Sequence, residues 1–408
     1  MDITVLCPHH APDTAPTGDV MTRLVEELAA RGHRLHVVTS LPWYREHRVE
    51  EGWGGRLLRR ERTDWGRISR LHPMAGTDKS NLVSRALAFG AFTTTSMLTA
   101  AMSRRTDVVL AMSPPLTLGP AAWLVSLRMR SPMVFNIQDV YPDAVVRTGA
   151  ISSDKVIGAL RWLERFSYAR AEAVTVLSDD LADGIAPRVG DRSKVRVIPN
   201  FVDVGRITPA DRINSYRDEL GIGDELVVMY AGNLGFSQPL ELVIEAARRL
   251  RHRRDVRFVI NGEGTRRDEL AAAATDLDNV TMVGFQSRER LPEVLAAGDV
   301  HLVLLGQGLA EVSVPSKLYS ILAAGRPVLA SVDPGTEVDR VVTSQRAGVA
   351  VPAGDVDAFV AAVEDMADDP NRRLAQGAAA RRFAESWMSA SDVAAEYEAL
   401  FEELIARR

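Results

Sequence analysis

The strongest constraint on this chain is an alternation of short apolar runs with segments of helical periodicity, which both halves repeat. Strand-like runs in the first half lie at residues 2–7, 34–40, 107–112, 133–137, 173–177 and 194–198. The second half adds runs at residues 226–230, 256–260, 280–285, 300–305 and 327–332. Short apolar runs that alternate with helices are typical of parallel sheets covered on both faces. We therefore predict an α/β chain with a parallel sheet in each half.

A segment punctuated by Pro and Asp, PNFVDVGRITPADR at residues 199–212, separates the two alternating regions. Such punctuation is typical of a domain boundary. We place an N-terminal domain at residues 1–203 and a C-terminal domain at residues 204–387. The last segment, residues 388–408, is amphipathic at helical spacing, so it is a candidate for packing back onto the first domain.

Composition narrows the classes of partner and compartment. The 408 residues carry 54 acidic and 49 basic side chains, a net charge of -5, so nothing global points to a nucleic-acid partner. Cys7 is the only cysteine, which excludes a disulfide framework and a cysteine-based metal site and fits a reducing compartment. The N-terminal residues lack a basic stretch followed by a long apolar core, so we expect no signal peptide and a cytoplasmic location.

Two stretches raise the question of membrane contact. Residues 82–102 reach spanning length but include Arg85 and several hydroxyl residues, so spanning is not favoured. A helix packed under the first sheet and a helix lying in a membrane interface both remain open. In residues 41–75, basic side chains alternate with tryptophans. That pattern fits either a peripheral contact with an anionic phospholipid surface or an ordinary solvated face.

Glycine-bearing loops follow two strand-like runs of the second half. The first loop contains Gly232, Asn233 and Gly235, and the second contains Gly262, Glu263 and Gly264. Because the carboxyl ends of parallel strands meet at one edge of a sheet, we expect the loops to converge on one crevice. Glycines there let a ligand approach the backbone closely.

The segment VSVPSKLYSILAAGRPVLA at residues 312–330 predicts a loop, a helix, a turn and a strand. Ser316 occupies the expected N-cap position, and Gly325 fits the C-terminal stop. Lys317 then lies in the first turn, where free N–H groups and its ammonium favour an anion such as a diphosphate. The alternative is a solvated lysine on an ordinary helix.

The first half offers weaker candidates. After the first strand-like run, Gly18 would let the backbone approach a ligand at the start of a helix, although no G-x-G-x-x-G fingerprint supports a dinucleotide. Polar residues also follow the run at 133–137. Asp139 among them either faces a ligand at the sheet edge or caps the next helix.

The assembled motifs resemble the GT-B glycosyltransferases of glycosyltransferase family four, in particular the WbuB- or WcaI-like branch that builds bacterial surface polysaccharides. The resembling stretches include RGHRLHVVTSLPWY at 31–44, NIQDVYPDAVVRTGAI at 136–151, YAGNLGFSQPLELVIEAA at 230–247 and PSKLYSILAAGRPV at 315–328. The resemblance implies two Rossmann-like domains with parallel sheets that face a central cleft. It also implies a nucleotide-sugar donor held mainly by the C-terminal domain.

Site residues carry over only where the motifs match. By resemblance, the two glycine loops bind the donor, Phe285 and Gln286 hold its base, and the phosphate-side motif is Pro315, Ser316 and Lys317. Asp139 and Tyr141 match the motif facing the reacting sugar. One departure concerns two glutamates that many relatives carry at the positions of Val312 and Ser320. Ser320 could still give the ribose one hydrogen bond, with less charge assistance.

The resulting hypothesis is retaining sugar transfer from a nucleotide-diphosphate sugar to a hydroxyl acceptor, expected to be a lipid-linked saccharide. A UDP-sugar is favoured over a GDP-sugar, and neither a cofactor nor a bound metal is expected. Lys317 would neutralise the leaving diphosphate, and Asp139 would position the acceptor or the reacting sugar. Two alternatives remain: a nucleotide-sugar 2-epimerase of the same build, and a non-catalytic nucleotide-sugar-binding partner.

Overall fold

A computed structural model describes residues 1–44, 48–74, 82–149 and 151–408. This part of the chain forms two compact units. The first contains Met1–Asn200 together with Met388–Arg408, and the second contains Phe201–Trp387. Each unit is built on its own sheet with helices against it, which confirms the predicted α/β fold class.

The strands of the first unit are β1 (Asp2–Leu6), β2 (Arg34–Ser40), β3 (Leu58–Thr63), β4 (Gly66–Leu71), β5 (Val108–Ser113), β6 (Met133–Ile137), β7 (Ala173–Val176) and β8 (Val195–Val197). Within the described residues they form a sheet in the order β3-β4-β2-β1-β5-β6-β7-β8. All neighbouring strands are parallel except β3 and β4. The chain changes direction across the sheet between β1 and β5, which is where ligands bind in open parallel sheets.

The hairpin of β3 and β4 lies where no strand was predicted. Charged side chains dominate LRRERT in β3, and this obscures the apolar alternation of a half-buried strand. Several basic groups here have partners within the protein. Arg70 is buried and its Nε lies 3.1 Å from Glu61 Oε1, while the Arg59 guanidinium lies 4.2 Å from the centroid of the Trp53 ring.

The helices of the first half are α1 (Pro16–Ala30), α2 (Leu82–Ala101), α3 (Leu118–Met129), α4 (Asp143–Arg147), α5 (Asp154–Arg170) and α6 (Asp179–Val189). Helix α1 begins at Pro16, because proline suits a first helical turn. Right-handed crossovers place α2, α3 and α5 on one face of the sheet and α1 on the other. Helix α2 packs against α3, β2 and β4. Among the described helices, none has the length and apolarity to cross a membrane.

The second unit contains β9 (Leu226–Ala231), β10 (Val256–Asn261), β11 (Val280–Val283), β12 (Val300–Leu304), β13 (Val328–Val332) and β14 (Gly348–Pro352). These strands form a parallel sheet in the order β11-β10-β9-β12-β13-β14. The prediction of five strands missed β14, because its sequence GVAVP is short and ends in proline. The helices are α7 (Ser215–Leu220), α8 (Glu241–Arg249), α9 (Arg267–Ala273), α10 (Leu291–Ala297), α11 (Lys317–Ala323), α12 (Glu337–Ser344), α13 (Val356–Asp368) and α14 (Pro370–Ser386).

The final helix, α15 (Ala390–Ala406), returns to the first unit and packs against α1. Its apolar residues at helical spacing are buried, namely Val393, Tyr397, Leu400, Phe401 and Leu404. The Tyr397 hydroxyl accepts a hydrogen bond from Asn136 Nδ2 at 2.9 Å and lies 3.0 Å from Thr175 Oγ1. These bonds attach the end of the chain to strands β6 and β7.

We expect Tyr397→Phe to lower the free energy of unfolding of the first unit by about 1 kcal/mol, because a buried hydrogen-bonding network loses its central hydroxyl. Urea denaturation followed by circular dichroism measures this change. An unchanged midpoint would show that the hydroxyl contributes nothing to the attachment of α15.

Candidate active site

The loops that follow β9 and β10 pack directly on each other. Leu234 N donates a hydrogen bond to Glu263 O at 2.8 Å. A β-carbon added at Gly262 would stand 1.9 Å from Gly232 O, and one added at Gly264 would stand 2.4 Å from Leu234 O. Both of these glycines are therefore required by the contact between the loops themselves, since backbone atoms cannot give way as a flexible side chain can.

Lys317 lies against the first of these loops. Its Nζ is 3.6 Å from the centroid of the Tyr230 ring, and a β-carbon added at Gly232 would stand 2.6 Å from this nitrogen. The ammonium is shielded from solvent and has no hydrogen-bond partner within the described residues. Burial lowers the pKa of Lys317 from 10.5 to about 7. A cation–π contact offsets part of this desolvation, and the Tyr230 hydroxyl is fixed by donating to Asn233 O at 2.7 Å.

Packing around α11 fixes the position of Lys317 at its first residue. Leu318, Ile321 and Leu322 are buried, and the Tyr319 ring stacks on Trp387 with centroids 4.8 Å apart. At the other end of the helix, Arg381 donates to Ala323 O at 2.7 Å, which satisfies a terminal carbonyl.

The structure tests the predicted C-terminal and N-terminal ends of α11. Gly325 ends the helix with a φ of 66°, as predicted. Ser316 occupies the N-cap position of α11, as predicted, but its backbone is already helical and its hydroxyl accepts no capping hydrogen bond. Pro315 O accepts a bond from Leu318 N at 3.0 Å, so the preceding loop is tied to the first turn by its backbone.

The loop after β11 adjoins the second glycine loop. A β-carbon added at Gly284 would stand 3.1 Å from Glu263 Oε1. Phe285 is 62% exposed, so its ring is open to a ligand. Gln286 donates to Gly284 O at 3.2 Å and accepts from Arg290 at 3.3 Å. The ends of three neighbouring strands, β9, β10 and β11, thus carry one continuous set of loops.

The remaining donor-side candidates differ in how they are held. A β-carbon added at Gly235 would stand 2.6 Å from Asn233 Nδ2, so this glycine makes room for the amide of Asn233. Ser320 lies three residues after Lys317 in α11 and is half-buried. Residues three apart lie side by side on a helix. Within the described part of the chain, the Ser320 hydroxyl has no hydrogen bond.

In the first unit, Gly18 lies inside the first turn of α1 and is buried. A β-carbon there would stand 2.8 Å from His9 Cβ. The space beside Gly18 is therefore occupied by a side chain of the protein and is not open to a ligand. His9 Nδ1 bonds Asp13 Oδ2 at 2.7 Å, and its ring stacks on Trp43 with centroids 5.7 Å apart. This cluster follows β1, at the edge where the sheet changes direction.

Asp139 and Tyr141 lie in the loop after β6, both half-buried and neither free of partners. The alternative that Asp139 caps the next helix is wrong, because α4 begins at Asp143 with Pro142 before it. Asp139 therefore stays a candidate for ligand contact. Among the described residues, no three His, Cys, Asp or Glu side chains gather where they could share a metal ion.

Two groups were missed from the sequence. Tyr230 lies at the end of an apolar run, where its ring was assigned to the core, and only the fold brings it under Lys317. His9 and Asp13 lie in the segment after the first strand-like run, in which Gly18 alone was named as a candidate. Their four-residue spacing directly after a strand was the available signal, but it fits many surface loops as well.

Comparison with known proteins adds independent information. Residues 17–200 match the family described as Glycosyl transferase 4-like domain, and residues 225–369 match Glycosyl transferases group 1. The putative colanic acid biosynthesis glycosyl transferase WcaI of Escherichia coli (strain K12) is 28% identical over 407 residues, which cover 96% of this chain and 98% of that protein.

Solved structures show the same fold across the whole chain. Sucrose-phosphate synthase from Thermosynechococcus elongatus aligns with a TM-score of 0.78 at 17% identity and covers 100% of both chains. Anabaena Alr3699/HepE in complex with UDP-glucose aligns with a TM-score of 0.71 at 15% identity, covering 99% of this chain and 100% of that one.

Two Rossmann-like units with glycine loops at the strand ends of the second have the GT-B fold that these solved structures share. The two family matches, one to a Glycosyl transferase 4-like domain and one to Glycosyl transferases group 1, together with the similarity to WcaI, show that the chain is a glycosyltransferase. The family resemblance and the enzyme class predicted from the sequence are confirmed.

We expect Gly262→Ala to lower the free energy of unfolding of the second unit by about 2 kcal/mol, because its β-carbon meets the backbone oxygen of Gly232. Gly158→Ala is the matched control. Gly158 is an exposed residue within α5, and nothing lies within 4 Å of a β-carbon added there. That substitution should stabilise slightly. Equal thermal melting of the two variants would contradict the close packing of the loops.

Proposed function

We propose that this glycosyltransferase moves a sugar from a nucleotide-diphosphate sugar to a hydroxyl acceptor with retention of configuration. The observation that carries the proposal is the unpartnered ammonium of Lys317 beside Gly232 and Tyr230. A buried charge without a partner is unfavourable, and an anionic guest would remove that penalty. A diphosphate supplies the required charge and several acceptor oxygens.

The donor end of the proposal draws on the loops of the second unit. HepE was solved with UDP-glucose, which supports a nucleotide sugar, and we favour a UDP-sugar over a GDP-sugar. The exposed ring of Phe285 can stack on the base, and the Gln286 amide can hydrogen-bond its edge. Ser320, one helical turn beyond Lys317, would give the ribose a single hydrogen bond.

In the reaction, the bond between the anomeric carbon and the diphosphate oxygen breaks while the acceptor oxygen attacks from the same face. The proton of the acceptor hydroxyl passes to the leaving diphosphate. Negative charge grows on that diphosphate, and Lys317 neutralises it in surroundings that contain little water, where the attraction is strong. Asp139 would position the acceptor hydroxyl or the reacting sugar.

For the acceptor we propose a lipid-linked saccharide at the inner face of the cell membrane, used in cell-surface polysaccharide or glycolipid biosynthesis. The name of WcaI, a putative colanic acid biosynthesis glycosyl transferase, supports this class. The enzyme would then act as a peripheral membrane protein on the cytoplasmic side.

The central test is Lys317→Met, which keeps the length of the side chain and removes the charge. We expect turnover to fall on the order of a hundredfold, because one preorganised charge at the leaving group is lost. The donor for this assay is chosen by the melting-temperature shifts that UDP-, GDP- and dTDP-sugars produce.

The same variant should be more stable than the wild type without ligand, by a few kcal/mol at neutral pH. The folded-state pKa of Lys317, about 7, lies below its ordinary value of 10.5, so the unfolded chain binds more protons between those values. Wild-type stability therefore rises with pH across that window, and the advantage of Lys317→Met shrinks. Near-normal turnover, or a variant less stable than the wild type at every pH, would refute the assignment.

Binding of the donor should also change the protonation of Lys317. We expect uptake of about one proton when the pH is about a unit above 7, because the diphosphate favours the charged form and raises the pKa. Titration calorimetry in buffers of different ionisation enthalpy measures this uptake. A UDP-sugar is a suitable ligand because its diphosphate does not titrate near neutral pH. Lys317→Met should show no uptake, and an equal uptake in both proteins would locate the proton elsewhere.

A further inference from the structure

Large apolar side chains are exposed together on the α2–α3–α5 face of the first unit. Trp162 on α5, Leu124 and Leu127 on α3, Leu98 on α2 and Met102 just after it are between 44% and 82% exposed. We call these five residues the outer patch. Helix α3 packs against both α2 and α5, so the three helices form one continuous layer.

Aromatic rings connect α3 to α5 within this layer. The Phe166 ring lies between its neighbours, with centroids 5.2 Å from Trp123 and 5.5 Å from Trp162. The Arg170 guanidinium lies 4.9 Å from the centroid of the Trp123 ring. The aromatic side chains of α3 and α5 are therefore in contact with one another, and an arginine lies on one of their rings.

On the opposite face of the same sheet, the apolar side chains of the helices are covered. There α15 packs against α1, and both helices bury their apolar residues in the contact. On the α2–α3–α5 side, the exposed fractions of Trp162 and Leu127, 65% and 56%, show that these side chains remain open to solvent. Exposed apolar side chains concentrated on one layer of packed helices mark a candidate interaction site.

Most of the charged side chains on the three helices of the outer patch are basic. Helices α2 and α3 contain no acidic residue, and in α5 the two acids are Asp154 at its start and Glu164, which is buried 3.2 Å from Arg188. Exposed arginines border the patch, namely Arg104, Arg105, Arg128, Arg130, Arg165 and Arg170. This local excess of positive charge stands against a net charge of -5 for the whole chain.

We propose that the outer patch docks onto an anionic phospholipid surface. Tryptophan and leucine side chains enter the interfacial region of a bilayer, and arginines bind the phosphates of its head groups. A second copy of the chain fits less well, because a two-fold contact through this patch would bring arginines against arginines.

Residues 41–75, where the sequence also allowed a membrane contact, stay a second candidate, and residues 45–47 and 75 of that stretch lie outside the described residues. In that stretch, Arg70 is buried against Glu61 and Arg59 lies on the Trp53 ring, so these groups already have partners. The inference rests on the proposed lipid-linked acceptor. Vesicle binding needs neither donor nor acceptor, however, so sugar transfer and docking can fail separately.

The test is cosedimentation of the full chain with vesicles of phosphatidylcholine that contain or lack phosphatidylglycerol. We expect binding to the phosphatidylglycerol vesicles that weakens with added salt. Leu127→Ser combined with Trp162→Ser should weaken it at least about tenfold, through lost apolar burial. Arg128→Glu alone should weaken it about fivefold or more, because one attraction becomes a repulsion.

Leu374→Ser is the matched control, since Leu374 is 71% exposed on α14 of the second unit, and its binding should equal that of the wild type. Circular dichroism and the melting shift produced by the UDP-sugar check the fold of every variant. If the double variant aggregates, Arg128→Glu decides. Equal binding to both kinds of vesicle, or wild-type binding by the patch variants, would overturn the proposal. The proposal would also be overturned if the wild type did not bind vesicles but formed a dimer in sedimentation velocity, and the double variant lost that dimer.

Discussion

The donor side of this enzyme depends on one unfavourable burial. The Lys317 ammonium is withdrawn from water between the Tyr230 ring and the backbone at Gly232, with no hydrogen-bond partner in the described part of the chain. A flexible lysine would avoid such a position unless its helix were held firmly. The stacking of Tyr319 on Trp387 and the bond from Arg381 to Ala323 O hold it there. Local stability is thus lower at the point where we propose that an anion binds, as is common at functional sites.

The glycines near both candidate sites illustrate how close packing prepares a site. Gly262 and Gly264 let one loop rest on the backbone of the next, and Gly18 lets α1 approach His9. In none of these three cases does the missing side chain leave space that only a ligand could fill. The glycines bring the protein's own groups together, and these are the groups that we propose bind the ligand. His9, oriented by Asp13 at the edge where the first sheet changes direction, is arranged by the same means.

Much of the architecture was predictable from the sequence because parallel strands buried on both faces are short, continuous apolar runs. The glycine loops and Lys317 could be placed at one sheet edge by the same reasoning. The hairpin of β3 and β4 could not, since its charged residues pair across the strands and mask the alternation. The contact of Lys317 with Tyr230 and that of Trp123 with Phe166 both join residues far apart in sequence. Only the approach of Lys317 in α11 to Tyr230 in β9, and the packing of α3 beside α5, bring them together.

The return of α15 to the first unit has a consequence for how the protein is made. The second unit is continuous in sequence from Phe201 to Trp387, whereas the first needs residues from both ends of the chain. On the ribosome, the apolar surface of α1 stays uncovered until residues 388–408 have emerged, because no earlier segment supplies α15. The unit synthesised first is therefore the one completed last, and a nascent chain halted before Met388 would carry a finished second unit beside an unfinished first one.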